Sequence, residues 1–217
     1  MARHRKTSLD KIHSRTIQVT EELFLASLPS KGPYDQRVSM MNMIENKVTM
    51  IVTAVDDLEL TRAGCYDYLD SLSKVGIRVI HCPVTDMNTP TLSSARRVAT
   101  IVRREIKRGG RVAFQCFEAL GRAPCLMSSY MVTTGMDPAD AVRLIRSVQP
   151  QSFLTLDQLR FPIDVDELSK RDPPKPSRRS NRICTPVMLG RTSEAVIRRT
   201  PTPPVTNMIK AHSVLTA

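Results

Sequence analysis

The chain has 217 residues, of which 41% are apolar, 24% charged and 4% aromatic, with no Trp and a net charge of +11. That length suits one domain with a sizeable aliphatic core plus extensions, or two small domains. No apolar run approaches the ~18 residues of a membrane-crossing helix, which excludes one. The polar, basic start "MARHRKTSLDKIHSR" predicts no secretory leader, and the ending "HSVLTA" no prenyl anchor.

In chain order, residues 1–15 read as a basic arm, with Arg3, Arg5, Lys6, Lys11 and Arg15 against Asp10 for a net +4. "LFLASLP" (23–29) is a short apolar run stopped by Pro29 and predicts a strand. "YDQRVSMMNMIENK" places Val38, Met41 and Ile44 at helical intervals, predicting a helix with that face inward. "VTMIVTAV" (48–55) is continuous and β-branched, as a buried parallel strand is. "GCYDYLDSLSKVG" reads as a helix or turn closing near Gly76, and "IRVIHCPV" (77–84) as another buried strand. "TLSSARRVATIVRREIKRGG" is an amphipathic helix opening at a Ser or Thr cap and ending at Gly109–Gly110. "RVAFQC" (111–116) predicts a third buried strand, and "GRAPCLMSSYMVTTG" (121–135) an apolar helix. "DPADAVRLIRSV" has Asp137 as cap and Pro138 in the first turn of a further helix, and "TLDQLRFPI" predicts a last one. Strands alternating with helices predict an α/β domain over 16–168, a central and mostly parallel sheet flanked by helices.

Residues 169–217 form a second basic arm, with ten Lys and Arg against Asp172 and Glu194 for a net +8, so residues 16–168 carry −1. This tail holds seven of the fifteen prolines, and its composition predicts disorder when it is alone. Its charge favours a polyanionic partner: an acidic protein assembly such as a microtubule-based structure, a ribonucleoprotein, or acidic lipid. It lacks Phe, Tyr and Trp, so it offers no stacking platform for single-stranded nucleic acid. Thr185, Thr200 and Thr202 each precede Pro, a spacing that suits a proline-directed kinase. The five cysteines form no CxxC pair, and the four histidines show no ligand spacing. Neither a disulfide framework nor a metal or cofactor is expected, and a reducing, cytoplasmic setting is.

In an open α/β sheet, chemistry gathers beyond the carboxyl ends of the strands, where Cys116 stands. In "CFEALGR" (116–122), amides between strand end and helix start can converge on one anion. A thiol there is suited to attack, and Arg122 can grip two phosphate oxygens in a fork. Asp86, in "HCPVTDMNTP" after the neighbouring strand, can supply the proton a leaving oxygen needs. Cys82, Cys125 and Cys65 read as small core residues, and His81 as structural. For Cys116 itself, a loop kept only for folding is an equally open reading.

With these residues in place, the stretch from Glu22 to Phe161 resembles the small cysteine-based dual-specificity phosphatases. It is similar above all to the phosphatase-of-regenerating-liver group (protein tyrosine phosphatase type IVA), through "KVTMIVTAV", "GIRVIHCPVTDMNTP", "RVAFQCFEALGRAPCL" and "SFLTLDQL". The resemblance implies Cys116 as nucleophile, Arg122 as phosphate clamp and Asp86 as general acid. Backbone amides of Phe117, Glu118, Ala119, Leu120, Gly121 and Arg122 form the implied cradle. It also marks departures. Gln115 stands where the family has His, Ala119 where it has Gly, and Val55 where the group has its regulatory cysteine. Two readings stay open at this stage, beside a third of simple phosphopeptide or anion capture without turnover. One is a protein tyrosine or dual-specificity phosphatase that forms a cysteinyl-phosphate, weakly active, on phosphoprotein substrates. The other is an impaired pseudophosphatase serving as a binding subunit, its tail docked on an acidic cytoskeletal, ciliary or ribonucleoprotein assembly.

Overall fold

The computed structural model describes residues 15–29 and 33–172. The basic tail from 173 onward and all of the N-terminal arm but Arg15 lie outside the described residues. So do Cys184 and the three Thr-Pro sites.

Five strands make one sheet in the order β1-β2-β5-β3-β4. They are β1 (Thr16–Gln18), β2 (Leu23–Ser27), β3 (Met50–Thr53), β4 (Arg78–His81) and β5 (Val112–Cys116). β5 pairs in parallel with β2 and β3, and β3 with β4; only β1 is antiparallel, to β2. The register sets Cys116 beside Ser27, and Gln115 between Ala26 and Thr53. Thr53, Ala26 and Gln115 thus share a face, and Cys116 lies on the other, because strand side chains alternate. β1 escaped the sequence reading: three residues carry too little pattern, and what makes them a strand is pairing with β2.

Each face of the sheet buries its own apolar layer. Leu23, Leu25, Met50, Val52, Val112, Phe114 and Cys116 pack under α4 (Leu92–Ile106), α5 (Arg122–Thr133), α6 (Pro138–Val148) and α7 (Leu156–Arg171). Phe24, Ala26, Ile51 and Ala113 share the opposite layer with Met43 of α1 (Pro33–Glu45), Leu60 of α2 (Asp57–Arg62), and Tyr68 and Leu72 of α3 (Tyr68–Lys74). α5 is buried nearly all round, since α4, α6, α7 and β5 enclose it. This is the expected α/β architecture, a mostly parallel sheet between helices.

Several elements differ from the sequence reading. α1 turns Asp35, Ser39 and Met43 inward, while Met41 and Ile44 are exposed. The inward Ser39 hydroxyl shares a hydrogen bond with the Tyr68 phenol, which makes a polar position acceptable there. β4 is only partly buried, because it is the sheet's edge rather than an interior strand. α7 continues past Pro162 to Arg171, beyond the expected domain end at 168. The proline removes the bond that would have reached the Gln158 carbonyl, and the Cys125 thiol donates to that oxygen instead, at 3.7 Å.

α2 went unread as a helix, although "DDLE" carries its start signal. Asp56 caps it by accepting from the Glu59 N–H at 2.8 Å, and Glu59 Oε2 accepts from the Asp56 N–H at 3.0 Å. That reciprocal pair is a capping box. The helix stops at Gly64, whose φ of 68° is left-handed.

Candidate active site

β5 ends at Cys116, and α5 begins at Arg122. The connecting loop is pinned from outside: Leu28 N–H donates to the Cys116 and Phe117 carbonyls, and Phe153 N–H to the Leu120 carbonyl at 2.7 Å. The Cys116, Phe117 and Leu120 carbonyls are thus tied to neighbouring segments. The N–H groups of Phe117 to Gly121 have no acceptor among the described residues. They precede the N-terminus of α5, where orphan donors and the helix dipole favour an anion. Glu118 projects into solvent, so its carboxylate does not fill the loop.

Ala119 is buried and has a φ of 62°. The backbone here is left-handed on a residue with a Cβ, and it costs about 1–2 kcal/mol against glycine's free access to that region.

Arg122 is 2% exposed. Its Nη1 donates to Glu59 Oε2 at 2.6 Å and to the Val84 carbonyl at 2.9 Å, and its Nη2 donates to Glu59 Oε1 at 2.7 Å. Asp86 Oδ1 stands 3.3 Å from Nη2. Among the described residues the Nε–H makes no hydrogen bond. Burial opposes the guanidinium's charge. The Glu59 hydrogen bonds, then the charges of Cys116, Glu59 and Asp86, outweigh that and hold its pKa above the ordinary value. The structure therefore brings Cys116, Arg122 and Asp86 to one end of the sheet, with the loop amides between the first two. It adds Glu59, which sequence reasoning missed. The capping-box spacing Asp56-x-x-Glu59 could have found the helix, but not the arginine on the far side of the carboxylate.

Asp86 sits second in a turn in which Asn88 N–H donates to the Thr85 carbonyl at 3.1 Å, and Met87, third, has a φ of 62°. Its carboxylate is well exposed, at 69%. Gln115 points to the opposite face from Cys116. Its Nε2 donates to the Ser27 carbonyl at 3.2 Å and to the Tyr68 phenol at 3.4 Å. Its Oε1 is buried without a partner, as is Thr53 Oγ1 beside it in register. Burial pushes the Tyr68 phenol's pKa up, against the lowering effect of its bonds to Ser39 and Gln115. His81 Nε2 meets the Val55 carbonyl at 2.7 Å, a structural bond. Cys65, Cys82 and Cys125 are free thiols, each with a pKa pushed up chiefly by burial, and Cys65 and Cys125 lie within the core.

Residues 34–136 match the family model described as a polymorphic toxin system DSP-PTPase phosphatase (Tc-R-P). Over this stretch, just under half of the chain, the sequence is similar to the DSP-PTPase phosphatases. Solved phosphatases share its fold at low sequence identity. A Tk-PTP structure in its active form is 19% identical with a TM-score of 0.60, covering 70% of this chain and 96% of that one. Kinase associated phosphatase with its catalytic cysteine replaced by serine is 18% identical with a TM-score of 0.62, covering 77% and 97%. Human DUSP28 is 16% identical with a TM-score of 0.56, covering 71% and 95%. No curated protein matches the chain by sequence. Among the described residues, no helix is long and apolar enough to cross a membrane.

Proposed function

We propose that the domain hydrolyses phosphate monoesters of proteins through a cysteinyl-phosphate on Cys116. The observation that carries this reading is the run of unpartnered amides from Phe117 to Gly121, between the thiol and the buried Arg122 guanidinium. A phosphoryl group in that cradle displaces Asp86 from Nη2 and takes the outer Nη2–H together with Nε–H, while Glu59 keeps its hold on the inner side of the fork. The Cys116 thiolate forms the S–P bond as the ester P–O bond breaks, and the leaving oxygen takes the Asp86 proton. Water then attacks phosphorus, Asp86 accepts its proton, and phosphate and the thiolate leave.

The test is hydrolysis of an aryl phosphate by the full chain beside Cys116→Ser. The reading expects turnover in the wild type alone and a phosphocysteine trapped by acid quench; equal rates in both refute it. A second reading, phosphate capture without turnover, is favoured by the strain at Ala119 and the orphaned Gln115 oxygen. It expects phosphate to raise thermal stability while no turnover occurs.

The basic arms, +4 over 1–15 and +8 over 169–217, support docking of the phosphatase on an acidic protein assembly such as a microtubule. Deleting residues 173–217 should weaken salt-sensitive cosedimentation with such a polymer, and unchanged binding removes this part of the proposal.

A further inference from the structure

The loop carrying Asp86 is tied to α7 by a buried side chain, Gln158, that also lies against the phosphate loop. Gln158 lies in the first turn of α7, three residues after the cap Thr155, whose hydroxyl accepts from the Gln158 N–H at 3.2 Å. A Gln at that position ordinarily bends back to the N–H of its own cap. Here its Oε1 accepts from Leu154 N–H at 2.9 Å, one residue earlier, and its Nε2 donates away from the helix to the Asn88 carbonyl at 3.1 Å. Asn88 closes the turn in which Asp86 is second. The same amide lies against Gly121, where a Cβ would meet Nε2 and Oε1 at 2.8 Å. Gln158 is 0% exposed, so neither end of the amide has water to turn to.

We propose that Gln158 is a positioning residue for Asp86, spanning α7, the phosphate loop and the turn that presents the carboxylate. The proposal rests on the reading of Asp86 as general acid. Asp86 itself is exposed, and its one ion pair among the described residues is with Arg122 at 3.3 Å, a contact a bound phosphate would replace. With that contact gone, the Gln158–Asn88 bond is the remaining side-chain tie on the turn's closing residue among the described residues. Losing it frees the turn, and a general acid displaced by about 1 Å forfeits roughly a hundredfold in rate. The loss falls on substrates whose leaving oxygen needs a proton and spares those that leave as stable anions.

The test uses full-length Gln158→Glu, which keeps the size and the acceptor for Leu154 N–H but cannot donate to the Asn88 carbonyl, beside Gln158→Ala. Turnover is measured over aryl phosphates whose leaving phenols span a range of pKa, in the wild-type and Asp86→Ala backgrounds. The expected result, read in kcat/KM because that reports formation of the phosphocysteine and not its hydrolysis, is a loss of ten- to a hundredfold (roughly) on high-pKa leaving groups, little change on low-pKa ones, and no further loss when Asp86 is already Ala. An equal loss on all substrates, or additive effects in the double variant, overturns the proposal. Hydrogen exchange gives a second readout that needs no turnover: Gln158→Glu should speed exchange of the Asn88 amide while leaving β3 and β5 unchanged. Unaltered exchange at Asn88 also overturns it. Wild-type turnover no faster than that of Cys116→Ser is instead the failure of the phosphatase reading, and exchange then decides the strut alone.

Discussion

Replacing Glu59 by alanine removes the carboxylate that both terminal nitrogens of Arg122 grip, at 2.6 and 2.7 Å. A hydrogen bond to a charged group contributes about 1.5–3 kcal/mol, and breaking a buried ion pair from one side costs about 3–5 kcal/mol. Both partners lie well inside the surface, with side chains 2% and 16% exposed, so solvent screens the pair little. Two contacts soften the loss: the Val84 carbonyl stays at 2.9 Å, and Asp86 stays at 3.3 Å but with an exposed, screened carboxylate. The variant also loses half of the capping box of α2, about 0.5–1 kcal/mol. The expected destabilisation is about 3 kcal/mol, which a urea titration reads as a midpoint lowered by roughly 1.5 M at a slope of about 2 kcal/mol per M. Freed of its carboxylate, Arg122 should seek another anion, so phosphate should raise the melting temperature of Glu59→Ala more than that of the wild type. A loss below about 1 kcal/mol, or equal phosphate shifts, would refute the view that Glu59 is what holds the buried guanidinium.

Other substitutions test neighbouring claims. Ala119→Gly relieves about 1–2 kcal/mol of left-handed strain, gives back about 0.4–1 in unfolded-chain entropy, and loses about 0.8 from one buried methyl. Its stability should therefore stay within about 1 kcal/mol of the wild type, and a gain of more than about 2 in a denaturant titration would show that the strain is larger. Gly121→Ala drives a Cβ to 2.8 Å from the Gln158 amide, which is bonded at both ends and cannot yield, so it should cost about 1–3 kcal/mol; an unchanged melting temperature argues for a looser site. The Cys65 thiol, its pKa pushed up from 9.0 to about 11 by burial and then by Asp67 and Asp35, keeps its proton while the unfolded chain loses it. Stability should accordingly fall as pH rises from 9 towards 11, by roughly 1 kcal/mol or more, and less steeply in Cys65→Ser; a flat profile by denaturant titration contradicts the burial argument.

Much of the fold was legible because burial writes itself into sequence. β3 and β5 are largely apolar and wholly buried, and both lie inside a parallel sheet with helices on each face. α4 was plain because an amphipathic pattern over fifteen residues, with Thr91 as cap, has few other readings. α1 misled for the converse reason. Its apolar spacing through Met41 and Ile44 is on the solvent side, and the buried face is chosen by Ser39 meeting Tyr68 from another helix. Periodicity reports where apolar residues are, not which polar residue has found a buried partner.

At the site, the positions of Cys116 and Arg122 relative to a strand end and a helix start followed from the chain itself, since loop and spacing are contiguous. The resemblance marked Ala119 as standing where the family has Gly, and a positive φ is what such a position asks of its residue. Glu59, Gln158 and the orphaned Gln115 oxygen did not follow from the sequence. Glu59 and Gln158 each act on a partner distant in sequence, Arg122 and Asn88, and those pairings exist only once α2 and α7 have packed at the ends of the sheet. Local order is encoded locally, in caps, turns and apolar runs. Which carboxylate meets which guanidinium is a property of how the layers stack, and no window of sequence contains it.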